Sequence, residues 1–200
     1  MTKNSEKPQW GSFALVSYIP DPLGSYFDSL RQILPGKENP QAHITILPPR
    51  PLKLPVESAS LQAKKILERF SRFEVELAKV HFFPETHVVY LDIAEGNAPL
   101  HDLHDALNTG DLDAAENFEF RPHLTLGGPV PEQDVEEVRT QAEQEWHASG
   151  WSPRFAIDDV VFLWLRPSGS WDDWHRLWSH RLRTGGSGKA ATAGPTTRTS

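Results

Sequence analysis

The chain has 200 residues, 38% of them hydrophobic, no cysteine, and a formal net charge of −7 at pH 7. That length supports one full-sized core or two small lobes sharing an interface, and one compact unit is expected. The lack of cysteine excludes disulfides, a thiolate metal site and a thiol nucleophile. The net charge argues against a surface that grips nucleic acid by general phosphate neutralisation, so a nucleic-acid substrate has to be held at a small local site. Residues 1–9 are polar and should be flexible, with no apolar signal segment behind a basic start. No run approaches the roughly 20 apolar residues of a membrane span. A soluble, cytoplasmic monomer is expected, with no membrane contact and no obligate protein partner.

In chain order, residues 13–19 are short, apolar and β-rich, and Pro20, Asp21 and Pro22 stop them. Leu23, Phe27, Leu30, Ile33 and Leu34 recur at helical spacing until Pro35 and Gly36 close the segment. A strand at 42–47 follows, ending at Pro48, Pro49, Arg50 and Pro51, with 51–55 irregular. A second helix is predicted over 56–70, with Leu61, Ile66, Leu67 and Phe70 inward. Residues 73–83 alternate as a half-buried strand does, and 87–93 form another strand. A helix at 100–107 ends by Gly110, and an acidic loop leads to a strand within 120–128. A charged helix over 132–147 turns Val135, Val138, Ala142 and Trp146 inward, and 155–165 is a single apolar strand. Five of the seven tryptophans (Trp151, Trp164, Trp171, Trp174 and Trp178) crowd the last third. Large rings there suit a core or lobe seam better than a base-stacking platform. Residues 171–182 fit either a strand or a short helix, with a closing strand favoured, and the tail 184–200 has a composition that cannot bury a core and should be disordered.

The two halves share one order: strand, helix, strand, helix, long strand, at an offset near 80 residues. The clearest correspondence is His43-Ile44-Thr45-Ile46 against His123-Leu124-Thr125-Leu126. Outside these strands the identity is low, so the repeat is one of pattern. In an extended strand alternate side chains share a face, so each copy shows an imidazole and a hydroxyl to one side and two aliphatics to the other. Two facing histidines can divide acid and base duties, because an unperturbed imidazole has a pKa near 6.5. One takes a proton from an attacking water and the other gives one to a leaving oxygen. A threonine on the same face adds a neutral donor for a non-bridging phosphate oxygen. Arg50 and Arg121 flank the strands and are candidates to neutralise phosphate, and Phe83, at a strand end, could stack a base. His101 and His104 stand three apart on a helix but lack a third ligand at a telling spacing, so no metal site is assigned.

Two H-x-T-x strands with aliphatic x, the second in the context Arg121-Pro122-His123-Leu124-Thr125-Leu126-Gly127, resemble those of the 2H phosphoesterase superfamily. Within it the chain is most similar to the 2'-5' RNA ligase and RNA 2',3'-cyclic phosphodiesterase group, over residues 10–183. The resemblance implies an α+β fold that is bilobal, with two pseudo-symmetric antiparallel β-sheet lobes, flanking helices and a central cleft. It implies His43, Thr45, His123 and Thr125 as the catalytic set, with no metal or other cofactor. The implied reaction is hydrolysis of a 2',3'-cyclic phosphate end of RNA, or of a related cyclic nucleotide phosphate, with reversible 2'-5' RNA ligation as a companion activity. In the group's usual assignment His123 activates water and His43 protonates the leaving ribose oxygen. The run Pro48-Pro49-Arg50-Pro51 departs from the Phe-Leu-Gly type of the RNA-processing members, which bears on the substrate more than on the reaction. The rival reading is a binding module of the same fold that holds a nucleotide or RNA end without turnover.

Overall fold

A computed structural model describes residues 8–36, 41–167, 169–170 and 173–184. Nearly all of the flexible start and of the disordered tail expected from the sequence lies outside the described residues. The elements are β1 (Ser12–Tyr18), α1 (Leu23–Ile33), β2 (His43–Pro51), α2 (Val56–Leu67), β3 (Phe73–Phe82) and β4 (Val89–Glu95). They continue with α3 (Asn97–Leu107), β5 (His123–Gly127), α4 (Val135–Ser149), β6 (Arg154–Ile157), β7 (Asp159–Leu165) and β8 (Trp174–Arg181).

All eight strands form one antiparallel sheet in the order β6-β3-β4-β5-β2-β1-β7-β8. Its midpoint is the junction of β5 with β2, where a single registered pair, Ile44 with Leu124, joins two four-stranded lobes. Outward from that point β2 and β1 match β5 and β4, and β7 and β8 match β3 and β6. The expected pseudo-twofold relation is therefore present, with one crossing: the third strand of each half pairs in the lobe of the other half, β3 on β4 and β7 on β1.

One face of the sheet carries the main core. The buried hydrophobic residues of all four helices belong to it, among them Phe27, Leu67, Leu103 and Ala142, together with Phe13, Leu15, Ile44, Ile46, Leu124 and Leu126 of the strands. A smaller cluster of Ala14, Val16, Val161 and Leu163, with Tyr18 and Trp174 packed on it, lies apart from that core. The strict alternation along β1, in which Phe13 and Leu15 go to one cluster and Ala14 and Val16 to the other, is the period-two geometry of a strand buried on both sides.

Three expectations need correction. The single strand predicted over 155–165 is two strands broken at Asp158, and the two lie near opposite edges of the sheet. The Leu182 amide donates to the Asp158 carbonyl at 2.8 Å, and the Arg183 amide to that of Phe70 at 3.1 Å, so the curled sheet brings its two edges together at this end. Leu61 does not face inward but is 70% exposed, because Ala59, Ala63, Ile66 and Leu67 form the apolar stripe and a residue two places from Ala59 and Ala63 points away from it. The prolines after residue 47 do not end β2. Leu15 pairs with Leu47 but Phe13 with Arg50, a bulge that absorbs the extra residue and lets Pro48 and Pro49 sit where ladder bonds are already interrupted. Residues 174–181 form the expected closing strand.

Candidate active site

The central junction sets the site. In an antiparallel pair centred on Ile44 and Leu124, the next positions outward on the other face are His43 across from Thr125 and Thr45 across from His123. The two histidines are then diagonal neighbours, roughly 7–8 Å apart at the backbone, which is a distance that one phosphate spans. Burial confirms the face: Ile44, Ile46, Leu124 and Leu126 are fully buried, whereas His43, Thr45, His123 and Thr125 are each half-buried.

Each imidazole is held in the same way. Nδ1 of His43 lies 2.7 Å from the carbonyl of Gln41, and Nδ1 of His123 lies 2.7 Å from that of Arg121. A carbonyl only accepts, so Nδ1 carries the proton and Nε2 keeps its lone pair free for chemistry in the neutral ring. Aromatic edges complete the seating. Tyr18 meets His43 edge-on at 6.2 Å, and Phe83 and Tyr90 meet His123 at 5.0 and 5.3 Å. Burial pushes the His43 imidazole down to about 4, with Arg31 and His123 adding positive charge nearby. Burial also lowers His123, assisted by the Arg121 guanidinium.

A cleft of about 1010 Å³ opens on this face, lined by Thr45, His123 and Thr125 among others. His43 is not among its lining residues; it lies one strand repeat before Thr45 on the same face. The remaining predicted residues are placed as follows. Phe83 lines the cleft and stacks on Tyr90 at 4.1 Å, so it shapes the pocket of His123 as well as its wall. Arg121 also lines it, half-exposed, with its guanidinium 2.8 Å from Asp92 and 5.3 Å from the Tyr90 ring centre. Arg50 lies in the wall, but its guanidinium is buried and spent on Glu116, on Asn108 at 2.5 Å and on the carbonyls of Pro48 and Leu112. Its visible work is to tie the loop between α3 and β5 to β2. His104 serves the same loop: it stacks on Phe120 at 3.9 Å and reaches Glu116 at 3.1 Å and Asp105 at 2.9 Å. Among the described residues no three His, Asp or Glu side chains stand together in a way that could hold a metal ion.

Sequence reasoning missed the aromatic seats Tyr18 and Tyr90, and the cleft residues Glu85, Glu116, Phe118 and Glu119. The acidic, aromatic run Glu116-Asn117-Phe118-Glu119-Phe120 was the available signal for the last three.

Comparison with known proteins agrees with this layout. Residues 19–169 match the family model of the 2'-5' RNA ligase superfamily. The chain is 26% identical over 169 residues to a Geobacillus kaustophilus protein named "Putative phosphoesterase GK0864", covering 80% of this chain and 91% of that one. It is 28% identical over 140 residues to a Geobacillus thermodenitrificans protein of similar name, covering 65% and 78%. Among solved structures, apo E. coli LigT superposes with a TM-score of 0.57 at 16% identity, over 87% of this chain and 98% of that one. A crystal structure titled simply as a phosphoesterase superposes at 0.60, also at 16% identity, over 88% and 100%. Structural likeness at such identity speaks for the fold alone. E. coli LigT has also been crystallised with 3'-AMP, in a form that superposes at 0.57.

Proposed function

The chain belongs to the 2'-5' RNA ligase superfamily, and from that premise we propose that it is a phosphodiesterase opening 2',3'-cyclic phosphates, or a related cyclic nucleotide phosphate, by two-histidine acid–base catalysis without a metal. One observation carries the reading: two imidazoles on one face of the central strand junction, each with Nδ1 bound to a backbone carbonyl and Nε2 available. His123 Nε2 takes a proton from water as the water oxygen bonds to phosphorus. His43, which takes up a proton as the anionic phosphate binds beside it, gives its Nε2 proton to the ribose oxygen as the phosphorus–oxygen bond breaks. Thr45 and Thr125 donate their hydroxyls to the non-bridging oxygens, where charge develops. Water, one cyclic diester and two proton transfers give a monoester and a free hydroxyl, and the next turnover needs only the exchange of one proton between the histidines and solvent. The same ring opening with a 5' hydroxyl in place of water, the 3' oxygen leaving, gives a 2'-5' linkage, and its reversal expels the 5' hydroxyl and re-forms the cyclic phosphate, with the two histidines exchanging acid and base roles. That E. coli LigT has been crystallised with 3'-AMP supports a nucleotide-sized substrate. Among the described residues no helix is long and apolar enough to cross a membrane; a cytoplasmic site of action is part of the same proposal.

The test is hydrolysis of nucleoside 2',3'-cyclic phosphates in EDTA by wild type, His43→Ala and His123→Ala. Wild type should turn over and each variant should lose about a hundredfold or more. An inert wild type would overturn the reaction and leave a binding module of the same fold.

A further inference from the structure

The charge around the cleft bears on which cyclic phosphate it takes, a question that rests on the reaction proposed above. Five charged side chains line the cleft: Arg50, Arg121, Glu85, Glu116 and Glu119, with no lysine among its lining residues. The two cations are already engaged, Arg50 by Glu116 and Arg121 by Asp92. Glu85 and Glu119 are exposed and stand in no ion pair among the described residues. The loop that forms this wall has Asp111, Asp113, Glu116 and Glu119 and no Lys or Arg from 111 to 120, with Asp113 paired to Lys53 and Glu116 to Arg50, so Glu119 is the lining carboxylate of this loop that no cation offsets among the described residues. What the cleft offers instead is ring surface: Phe83, Phe120 and the 63% exposed Phe118. A single-stranded RNA is usually held by cations that track its backbone, with aromatic side chains beneath the bases. Here the aromatic half of that arrangement is present and the cationic half is reversed in sign.

We propose that the cleft selects a free mononucleoside cyclic phosphate, whose sole anionic group is the phosphate under attack, and rejects the 3' end of a longer RNA, whose adjoining phosphodiesters would meet Glu85 and Glu119. The base and ribose contribute ring area and neutral donors, which Phe118 and the carboxylates can accept. The active phosphate sits inward between the two histidines, where each threonine supplies a donor. A second phosphate has no such place, and only the rim remains for it. The volume of about 1010 Å³ lies at the limit of the range of small-ligand cavities, whose upper bound is roughly 1,000 Å³.

The experiment compares kcat/KM for a nucleoside 2',3'-cyclic phosphate with that for an oligoribonucleotide bearing the same terminal cyclic phosphate, across a series of salt concentrations. The mononucleotide should be favoured by about tenfold or more. Oligonucleotide turnover should rise with salt, as screening weakens like-charge repulsion. Combining Glu85→Gln with Glu119→Gln should raise the ratio of oligonucleotide to mononucleotide activity. A ratio near one, or an oligonucleotide preferred with kcat/KM falling as salt rises at the slope of about −0.7 per phosphate contact expected for single strands, overturns this specificity and leaves the reaction intact. Hydrolysis of neither substrate overturns the reaction and the specificity together.

Discussion

Ile44 and Leu124 are the one registered pair between β2 and β5, and both side chains are fully buried in the main core. The residues that flank them on the other face are the four proposed for chemistry. Packing at a single point therefore sets the spacing of both histidines.

Truncating that point should cost stability and activity together. Leu124→Ala removes a fully buried side chain, and about 2–5 kcal/mol of unfolding free energy should be lost, with a fall in kcat from the displaced His123 and Thr125. Ile44→Val, a single methylene, should cost about 0.5–1.5 kcal/mol and leave kcat near wild type. Urea midpoints and steady-state kinetics on the same preparations check both.

The low pKa of His43 has a signed consequence for pH. In the unfolded chain the ring takes its proton near 6.5, whereas burial holds it to about 4 in the folded protein. Between those values the unfolded state binds a proton that the native state refuses, so stability is full above 6.5 and declines as pH falls toward 4. His43→Gln should remove part of that decline, and the remainder includes His123, which is shifted in the same direction. Comparing urea midpoints at neutral pH and near pH 4 tests this. In NMR titrations inorganic phosphate should move the His43 midpoint upward, because a bound anion stabilises the imidazolium.

Arg50 is predicted to act on stability before it acts on substrate. Arg50→Leu leaves Glu116 and Asn108 facing one another without their cation, and loss of one partner of a buried pair typically costs about 3–5 kcal/mol. The double change Arg50→Leu with Glu116→Leu should recover much of the loss. If Arg50→Leu unfolded at the wild-type urea midpoint, with KM alone raised, Arg50 would instead be a phosphate contact.

The site strands were legible because their chemistry coincides with their periodicity: His and Thr at one parity, aliphatics at the other, twice. The helices at Leu23 and Val135 were legible because each has an uninterrupted apolar stripe. What stayed hidden depended on distant partners. The break at Asp158 has no glycine or proline to mark it, and Val160 to Leu165 reads as a continuation of Phe155 to Ile157. Only the competing demands of β3 and β1 pull the two strands to separate lobes. Arg50 looked like a free cation beside the site because its neutralising carboxylate, Glu116, lies 66 positions away in the chain.

The crossing of β3 and β7 also determines what the repeat can and cannot be. One lobe combines β3 of the first half with β4, β5 and β6 of the second, the other combines β1 and β2 of the first with β7 and β8 of the second, and no cut near residue 84 would release a unit with its own complete sheet. The halves are threaded through each other like clasped hands, with β3 and β7 each closing the grip on the other half. Two fragments produced separately should be poorly folded, whereas fragments produced together should recover the whole.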